Sequence, residues 1–226
     1  MISILLTIAL IATAIILHEI AHGAVAYAFG DPTARLMGRL TLNPVKHVDK
    51  VGTLLLPGFL AITQMLSLGR VVVMFGWAKP VPVDPRYFRY PRQMMAVVAL
   101  AGPASNVVLA FLAAFALRFD GLSDGVVDAL NLFIDLNLAL AFFNMVPIPP
   151  LDGGRVMVGL LPQPLAGQYA KLERYGMLMV IGLIMLPPLL SMQGIHFDPL
   201  RQTLWPAVEW TRQVILRLVG ADFVQV

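Results

Sequence analysis

The 226-residue sequence predicts an all-α polytopic membrane protein with about four to six membrane-embedded helices. Apolar residues make up 58% of the chain and charged residues 13%, well below the roughly 25% of ordinary soluble domains. The mean hydropathy is +0.79. Several apolar runs also reach the roughly 18 residues that a membrane helix needs. We therefore expect one intramembrane domain over residues 1–226.

The three core segments predicted for this domain are residues 2–29, 93–118 and 126–158. Between the first two lies a polar, basic stretch at residues 31–50 that contains "ARLMGRLTL". This run alternates loosely between apolar and polar residues and is bounded by Asp-Pro and Asn-Pro, which predicts a short β-strand or hairpin. Residues 198–219 combine spaced apolar side chains with basic ones and predict an amphipathic C-terminal helix on the membrane surface.

The distribution of basic residues predicts the topology. The N-terminal stretch carries no basic side chain, whereas residues 31–50 and 77–92 are both rich in Lys and Arg. Cytoplasmic loops carry such an excess, so we expect the N-terminus outside and both loops in the cytoplasm. Because residues 51–76 are too few for two helices of roughly 20 residues, they are expected to be re-entrant. A single tilted span is the alternative, and it would place the second loop outside.

The most informative motif is HEIAH, at the end of the first apolar run. His18 and His22 stand at i and i+4 on one helix face, where both imidazoles can reach one zinc ion. Glu19 can act as the general base on a water molecule. Two core histidines hydrogen-bonded inside the bundle are the alternative, but that hypothesis leaves Glu19 unexplained, since ionisable groups in membrane helices are costly. With no cysteine in the chain, further ligands must be His, Asp or Glu.

A catalytic zinc usually has three protein ligands, and Asp135, Asp152 and Glu173 are candidates for the third. Asp135 belongs to a helical span, and Glu173 lies between basic residues at an expected interface. Asp152 follows the proline-rich "NMVPIPP" and precedes two glycines. Irregular backbone at membrane depth is tolerated where it lines protein or a wet cavity, so Asp152 is favoured. A simple helix cap is its alternative role.

"HEIAH", "AGPASN" and "NMVPIPPLDGG" together resemble the three signature elements of the site-2 protease family of intramembrane zinc metalloproteases. They occur in the family's order across roughly residues 10–158. "GRLTLNPVKHVD", "GTLLLP" and "GWAKPVPV" further resemble its compact prokaryotic branch, which lacks PDZ and CBS domains. The resemblance implies one zinc ion per chain, held by His18, His22 and Asp152, with Glu19 as the general base.

The resemblance also implies roles in substrate binding. Asn106 would hold the oxyanion or orient the substrate, and Asn144 would steady the substrate strand. The loop at residues 34–42 would offer an edge to an extended peptide. From the residues alone, an Asn in a membrane span is more typical of interhelical hydrogen bonding. His47 is more typical of a solvated loop than of a second metal site, and no role is predicted for it.

The function implied is an endopeptidase of the prokaryotic cell membrane that cleaves in or near transmembrane segments of other membrane proteins, as in regulated intramembrane proteolysis. Its expected partners are the lipid bilayer and a substrate with a transmembrane helix. The active site of the enzyme is expected nearer the cytoplasmic face. The net charge of +3 is attributed to loops facing anionic lipid and not to nucleic-acid binding. A catalytically silent scaffold and a metal-ion transporter are the alternatives. Homo-oligomerisation is left open, and the substrate and triggering signal are not predicted.

Overall fold

The computed structural model describes residues 2–72, 74–191 and 193–221, and regular secondary structure in these ranges is helical. The α-helices are α1 (Ile4–Ala28), α2 (Thr33–Leu36), α3 (Leu56–Leu68), α4 (Pro91–Ala116), α5 (Asp124–Asn144), α6 (Asp152–Leu160), α7 (Gln163–Ala170), α8 (Glu173–Ser191) and α9 (Pro199–Val219). Two 3₁₀-helices, Pro44–His47 and Pro85–Tyr87, and one π-helix, Lys50–Leu55, complete the set. The all-α prediction is confirmed.

Five helical segments are long and apolar enough to cross a membrane, which agrees with the predicted number. They are Ile4–Ala28, Lys50–Ser67, Pro91–Ala116, Asp124–Asn144 and Glu173–Ser191. The protein is therefore an integral membrane protein. Helix α1 begins where the Ser3 hydroxyl accepts a hydrogen bond from the Leu6 N–H, so the first predicted core helix is present with nearly the predicted bounds.

The β-hairpin predicted after the first helix is wrong. The described residues contain no strand; helix α2 occupies the start of the run where it was expected, and a 3₁₀-helix follows the run. The cause is local: the Asp31 carboxylate accepts hydrogen bonds from the Thr33 N–H and hydroxyl, and the Asn43 side chain accepts one from the Val45 N–H. Such side-chain-to-backbone bonds favour helical turns over a strand ladder. The described loop at residues 34–42 contains no strand, and its pairing with an extended substrate stays a prediction.

The apolar segment at residues 51–76 forms a helix followed by an extended return. The π-helix runs directly into α3 near the predicted bend at Pro57, and α3 ends at Gly69, which has a φ of 67°. The Trp77 N–H then donates to the Gly52 carbonyl at 3.1 Å, and the Thr53 hydroxyl donates to the Trp77 carbonyl at 2.9 Å. The two ends of the segment thus lie side by side, as the re-entrant interpretation requires.

Helix α4 is the centre of the bundle and packs against α1, α5 and α6. Its buried face is made largely of small residues, which allow neighbouring backbones to approach closely. These include Ala96, Ala99, Gly102, Ala110, Ala113 and Ala114. Helix α9 has the predicted bounds and amphipathic character, and its apolar residues Val208, Ile215 and Val219 are buried in a cluster with α4 and α5. These three residues contact protein, and the location of the helix on the membrane surface stays a prediction.

Candidate metal centre

Helices α1 and α6 bring His18, His22 and Asp152 together. The Nε2 atoms of the two histidines lie 3.0 Å apart. Oδ2 of Asp152 lies 3.1 Å from Nε2 of His18 and 3.3 Å from Nε2 of His22. His18 is 5% exposed and Asp152 is 7% exposed. Three potential ligand atoms therefore point at one buried location, and this group could hold a metal ion.

The hydrogen bonds at the far side of each ring define its tautomer. Nδ1 of His18 lies 2.6 Å from Oδ1 of Asn106, and Nδ1 of His22 lies 2.7 Å from the Val98 carbonyl oxygen. Both partners are acceptors only, so each Nδ1 carries the proton and donates it. In the neutral rings, both Nε2 atoms are then unprotonated. They present lone pairs to each other and to Asp152, which is the form in which histidine binds a metal.

The three atoms fit the donor set of a tetrahedral cation. Ligand atoms about 2.0–2.1 Å from a tetrahedral zinc stand about 3.3 Å from one another, close to the observed separations. Oδ2 of Asp152 is buried and has no hydrogen-bond partner among the described residues. Metal ligands bind in their deprotonated form, so Asp152 would bind as the carboxylate.

Two glycines allow Asp152 to reach this position. It is the first residue of α6, directly after the non-helical residues 145–151. A Cβ at Gly153 would lie 2.2 Å from the Met145 carbonyl oxygen, and one at Gly154 would lie 2.4 Å from the Pro149 nitrogen. The start of α6 is therefore packed directly on the backbone of the loop before it. The predicted kinked segment is present, and it delivers the carboxylate to the two histidines.

Gly102 of α4 lies against both imidazole rings. A Cβ on this residue would stand 2.4 Å from Nε2 of His22 and 2.6 Å from Cε1 of His18. No side chain larger than hydrogen fits without moving the rings. The sequence suggested only that Gly102 permits close packing of helices, and the structure specifies that the close neighbours are the two histidines.

Asn106 lies behind His18 and is fully buried. Its Oδ1 accepts from His18, while its Nδ2 donates to Oδ1 of Asn137 at 2.8 Å and to the Ala14 carbonyl at 3.4 Å. The Asn137 side chain in turn donates to the Phe133 carbonyl at 2.8 Å. Both polar atoms of Asn106 are therefore engaged within the protein. Its role toward an oxyanion or substrate stays a prediction, and its observed contact is with a candidate metal ligand.

Glu19 contacts the chain segment that lies across this part of α1. Its Oε2 accepts a hydrogen bond from the Val81 N–H at 2.7 Å. Among the described residues, Oε1 has no hydrogen-bond partner. One carboxylate oxygen is thus held by a backbone amide, and the other is available for chemistry beside the histidine pair.

The other residues considered from the sequence lie elsewhere. Asn144 donates its side-chain N–H to the Leu140 carbonyl of its own helix at 2.9 Å, and its role toward substrate stays a prediction. Asp135 forms an ion pair with Arg212 of α9 at 3.0 Å, and Glu173 is exposed. His47 is buried, with Nε2 2.9 Å from the Thr41 carbonyl oxygen, so it does not lie in a solvated loop.

The sequence did not identify Asn137, Val81 or Val98 as contributors to the site. A signal exists for Asn137, because it is an amide in the middle of an apolar span, where polar residues usually face the bundle interior. Val81 and Val98 contribute only backbone groups. The residue types at positions 81 and 98 therefore do not indicate these backbone contacts with Glu19 and His22.

Comparison with known proteins agrees with the motifs and the geometry. The profile of peptidase family M50 matches residues 6–123 and 120–187. YwhC of Bacillus subtilis, named as a candidate zinc metalloprotease, is 38% identical over 216 residues, which cover 92% of this chain and 87% of YwhC. Rip2 of Mycolicibacterium smegmatis, named in the same way, is 30% identical over 175 residues, covering 76% of this chain and 64% of Rip2. No solved structure matches this chain.

Proposed function

Because this chain belongs to peptidase family M50, we propose that it is an intramembrane zinc metalloendopeptidase that cleaves peptide bonds in or near the transmembrane segments of other membrane proteins. The observation that carries this proposal is that His18, His22 and Asp152 converge at one buried location. Glu19 directly follows His18 in the chain. Zinc is the metal that the names of the relatives specify, and two imidazoles with one carboxylate are a donor set that zinc accepts.

His18, His22 and Asp152 would hold the zinc ion. When bound, the metal supplies Lewis acidity that polarises the scissile carbonyl and makes water a stronger nucleophile. Glu19 accepts a proton as the water oxygen bonds to the carbonyl carbon. It then donates that proton to the leaving amine nitrogen as the C–N bond breaks. The products are one carboxyl and one amine terminus, and the carboxylate of Glu19 is restored.

An apolar groove supports a membrane-embedded substrate. It has a volume of about 370 Å³ and lies between α1 and the extended return after α3. Ile11 and Ile15 line it, and Ile15 and Glu19 share a helix face because they are four residues apart. Transmembrane helices hide their carbonyls in i to i−4 hydrogen bonds, so a substrate must unwind before cleavage. A groove with this lining suits an apolar segment better than a soluble peptide.

The proposed topology places the N-terminus outside and the basic loops at residues 31–50 and 77–92 in the cytoplasm of a prokaryotic cell. It is supported by the side-by-side position of Gly52 and Trp77, which puts both loops at the same end of the segment between them. Water would then reach Glu19 from the cytoplasmic side. Cleavage at this position would release a cytoplasmic fragment, as regulated intramembrane proteolysis requires.

Metal content of the detergent-purified protein tests the site. About one zinc per chain is expected in the wild type and in Glu19→Gln, and almost none in His22→Ala or Asp152→Ala. Asp135→Asn and Glu173→Gln are matched controls, since they alter the other two acids considered as ligands and should retain the metal. Zinc bound normally by Asp152→Ala would contradict the proposed ligand set.

Activity is tested separately. Fluorescein-labelled casein in detergent is a suitable general probe, because a weakly structured chain needs no unwinding. The wild type should cleave it, the chelated protein should not, and zinc should restore cleavage. Glu19→Gln should bind zinc but remain inactive, and it can then be used to trap membrane-protein substrates. A zinc-loaded wild type with no cleavage of casein or of trapped proteins would favour a catalytically silent scaffold.

A further inference from the structure

We propose that the backbone N–H of Val81 is a positioning group for Glu19, presented by a fixed extended segment that we call the strap, residues 77–84. This inference rests on the proposed function, because it assigns Glu19 as the general base. Within the described residues, the Val81 N–H is the hydrogen-bond donor to the Glu19 carboxylate, at 2.7 Å from Oε2. The contact joins residues 62 positions apart in the chain, so it depends on the tertiary fold.

Alternate residues of the strap direct their N–H groups toward the protein. The Trp77 N–H donates to the Gly52 carbonyl at 3.1 Å, and the Lys79 N–H donates to the His47 carbonyl at 2.9 Å. The Val81 N–H continues this series with Glu19 as its acceptor. A period of two is that of an extended chain with one edge against a partner. The third acceptor in the series is a side chain, and it is the candidate general base.

Two buried charged side chains also anchor the strap through its backbone. Arg39, which is 4% exposed, donates from Nη2 to the Lys79 carbonyl at 2.6 Å. Asp31, which is fully buried, accepts from the Asp84 N–H at 2.7 Å. Buried charged groups are costly unless they are hydrogen-bonded, so these contacts fix the strap strongly on both sides of Val81. The position of the Val81 N–H is therefore determined by the protein around it.

Both neighbours of Val81 are prolines, so Val81 has the only backbone N–H among these three residues. Pro80 and Pro82 have no N–H, and each restricts φ to about −65°. The side chain of Val81 packs beside Gly23, where a Cβ would lie 2.8 Å from its Cγ1. Gly23 is one helical turn beyond Glu19, and the absence of a side chain there lets the strap approach α1 closely. The local sequence thus leaves the Val81 amide as the one group that donates to the Glu19 carboxylate from this part of the strap.

The consequence is orientation of the general base. A free glutamate samples several rotamers, and general-base catalysis requires one oxygen near the attacking water. The hydrogen bond at Oε2 restricts the side chain and leaves Oε1 to accept the proton. A catalytic group held by a rigid neighbour retains its productive geometry, and small displacements are costly. Val81 acts through Glu19 and is a positioning residue.

Hydrogen–deuterium exchange at single-residue resolution tests the contact without requiring activity. The Val81 amide should be protected in the wild type and in Glu19→Gln, which keeps an acceptor oxygen. In Glu19→Ala, it should exchange at least about tenfold faster, because the acceptor is gone. The Lys79 amide should stay protected in all three proteins, since its acceptor is the His47 carbonyl. Equal protection of Val81 in wild type and Glu19→Ala would overturn the proposal.

Kinetics with the casein probe tests the role. Val81→Pro removes the N–H and places a ring carbon where the hydrogen pointed at Oε2, so the Glu19 carboxylate must turn away. Its kcat should fall about 10- to 100-fold with KM and zinc content unchanged. Val81→Ala keeps the N–H and should retain most activity. Val83→Pro is the matched control, because the Val83 N–H has no acceptor among the described residues. An unchanged kcat in Val81→Pro, or a fall of the same size in Val83→Pro, would overturn the proposal.

The two proposals fail in different ways. A wild-type protein that binds zinc but cleaves neither casein nor the membrane proteins trapped by Glu19→Gln would contradict the proposed function. The exchange experiment would still decide whether Val81 holds Glu19. An active protease whose Val81 amide exchanges independently of Glu19 would retain the proposed function and lose the positioning role.

Discussion

Asn106 and His18 are joined by a buried hydrogen bond, in which Nδ1–H of His18 donates to Oδ1 of Asn106 at 2.6 Å. The same amide donates to Asn137, so a chain of two amides connects α1 to α5 through α4. This chain fixes the orientation of the ring that presents Nε2 to the candidate metal position. Hydrogen bonds of this type behind metal-binding histidines hold the tautomer and the geometry.

Replacing Asn106 should therefore weaken metal binding. We expect Asn106→Ala to lower zinc affinity about 10- to 100-fold, as is typical when the partner of a ligand histidine is removed. Competition with a chelator of known affinity would measure it. Asn144→Ala is the matched control, since the side chain of Asn144 bonds within its own helix and should leave zinc affinity unchanged. Equal affinities for wild type and Asn106→Ala would show that His18 needs no such support.

Gly102→Ala should disrupt the metal centre while the helices remain folded. The added Cβ would lie 2.4 Å from Nε2 of His22, so the ring must leave the position in which it faces Asp152. We expect most of the zinc to be lost with little change in helical circular dichroism. Gly182→Ala in α8 is the control, because a Cβ there meets nothing within 4 Å and alanine favours helix. Full zinc content in Gly102→Ala would mean that α4 can shift enough to accommodate the added Cβ without moving the histidine rings.

The group of candidate metal ligands could be predicted because the side chains themselves carry the chemistry. HEIAH places two imidazoles by helical periodicity, and the proline and glycine residues around Asp152 mark where a span is interrupted. The β-hairpin was predicted wrongly because the alternation of "ARLMGRLTL" is weaker than the local hydrogen bonds from Asp31 and Asn43. Those hydrogen bonds depend on side-chain rotamers and backbone geometry, which cannot be predicted from the pattern of apolar and polar residues.

The contacts that orient the site were beyond sequence analysis for a different reason. An amide in an apolar span predicts that Asn137 faces the bundle interior, but the sequence does not show which helix packs there, so its partner Asn106 could not be predicted. Val81 contributes its N–H alone. Every residue except proline would keep this hydrogen bond, so the residue type gives almost no indication of the contact.

The role of Asn144 toward the substrate can be separated from metal binding. If its amide contacts the substrate strand, Asn144→Ala should raise KM for casein about 2- to 10-fold, the range expected for one lost hydrogen bond, with kcat and zinc content unchanged. Asn131→Ala is unsuitable as a control because Asn131 bonds Arg212. Gln202→Ala, on the exposed side of α9, is suitable. A KM equal to that of the wild type would remove Asn144 from the proposed substrate site.

The ion pair between Arg212 and Asp135 should hold α9 against the bundle. Nε of Arg212 lies 3.0 Å from Oδ1 of Asp135, near the middle of α5, and Arg212 also donates to Asn131 at 2.7 Å. Removing one partner leaves a charge inside a predominantly apolar region. We expect Arg212→Ala to lower the free energy of unfolding by about 1–3 kcal/mol, less than the roughly 3–5 lost by a fully buried pair, because both side chains are partly exposed.

Thermal unfolding in detergent would measure this loss as a lower Tm, by about 2–4 °C per kcal/mol for a chain of this size. Arg217→Ala, an exposed position on the same helix, should leave Tm unchanged. The double variant Asp135→Leu, Arg212→Leu should recover much of the loss, because an apolar pair leaves no unpaired charge. If the double variant is as unstable as Arg212→Ala, the ion pair is not what holds α9, and its buried apolar residues Val208, Ile215 and Val219 must do so.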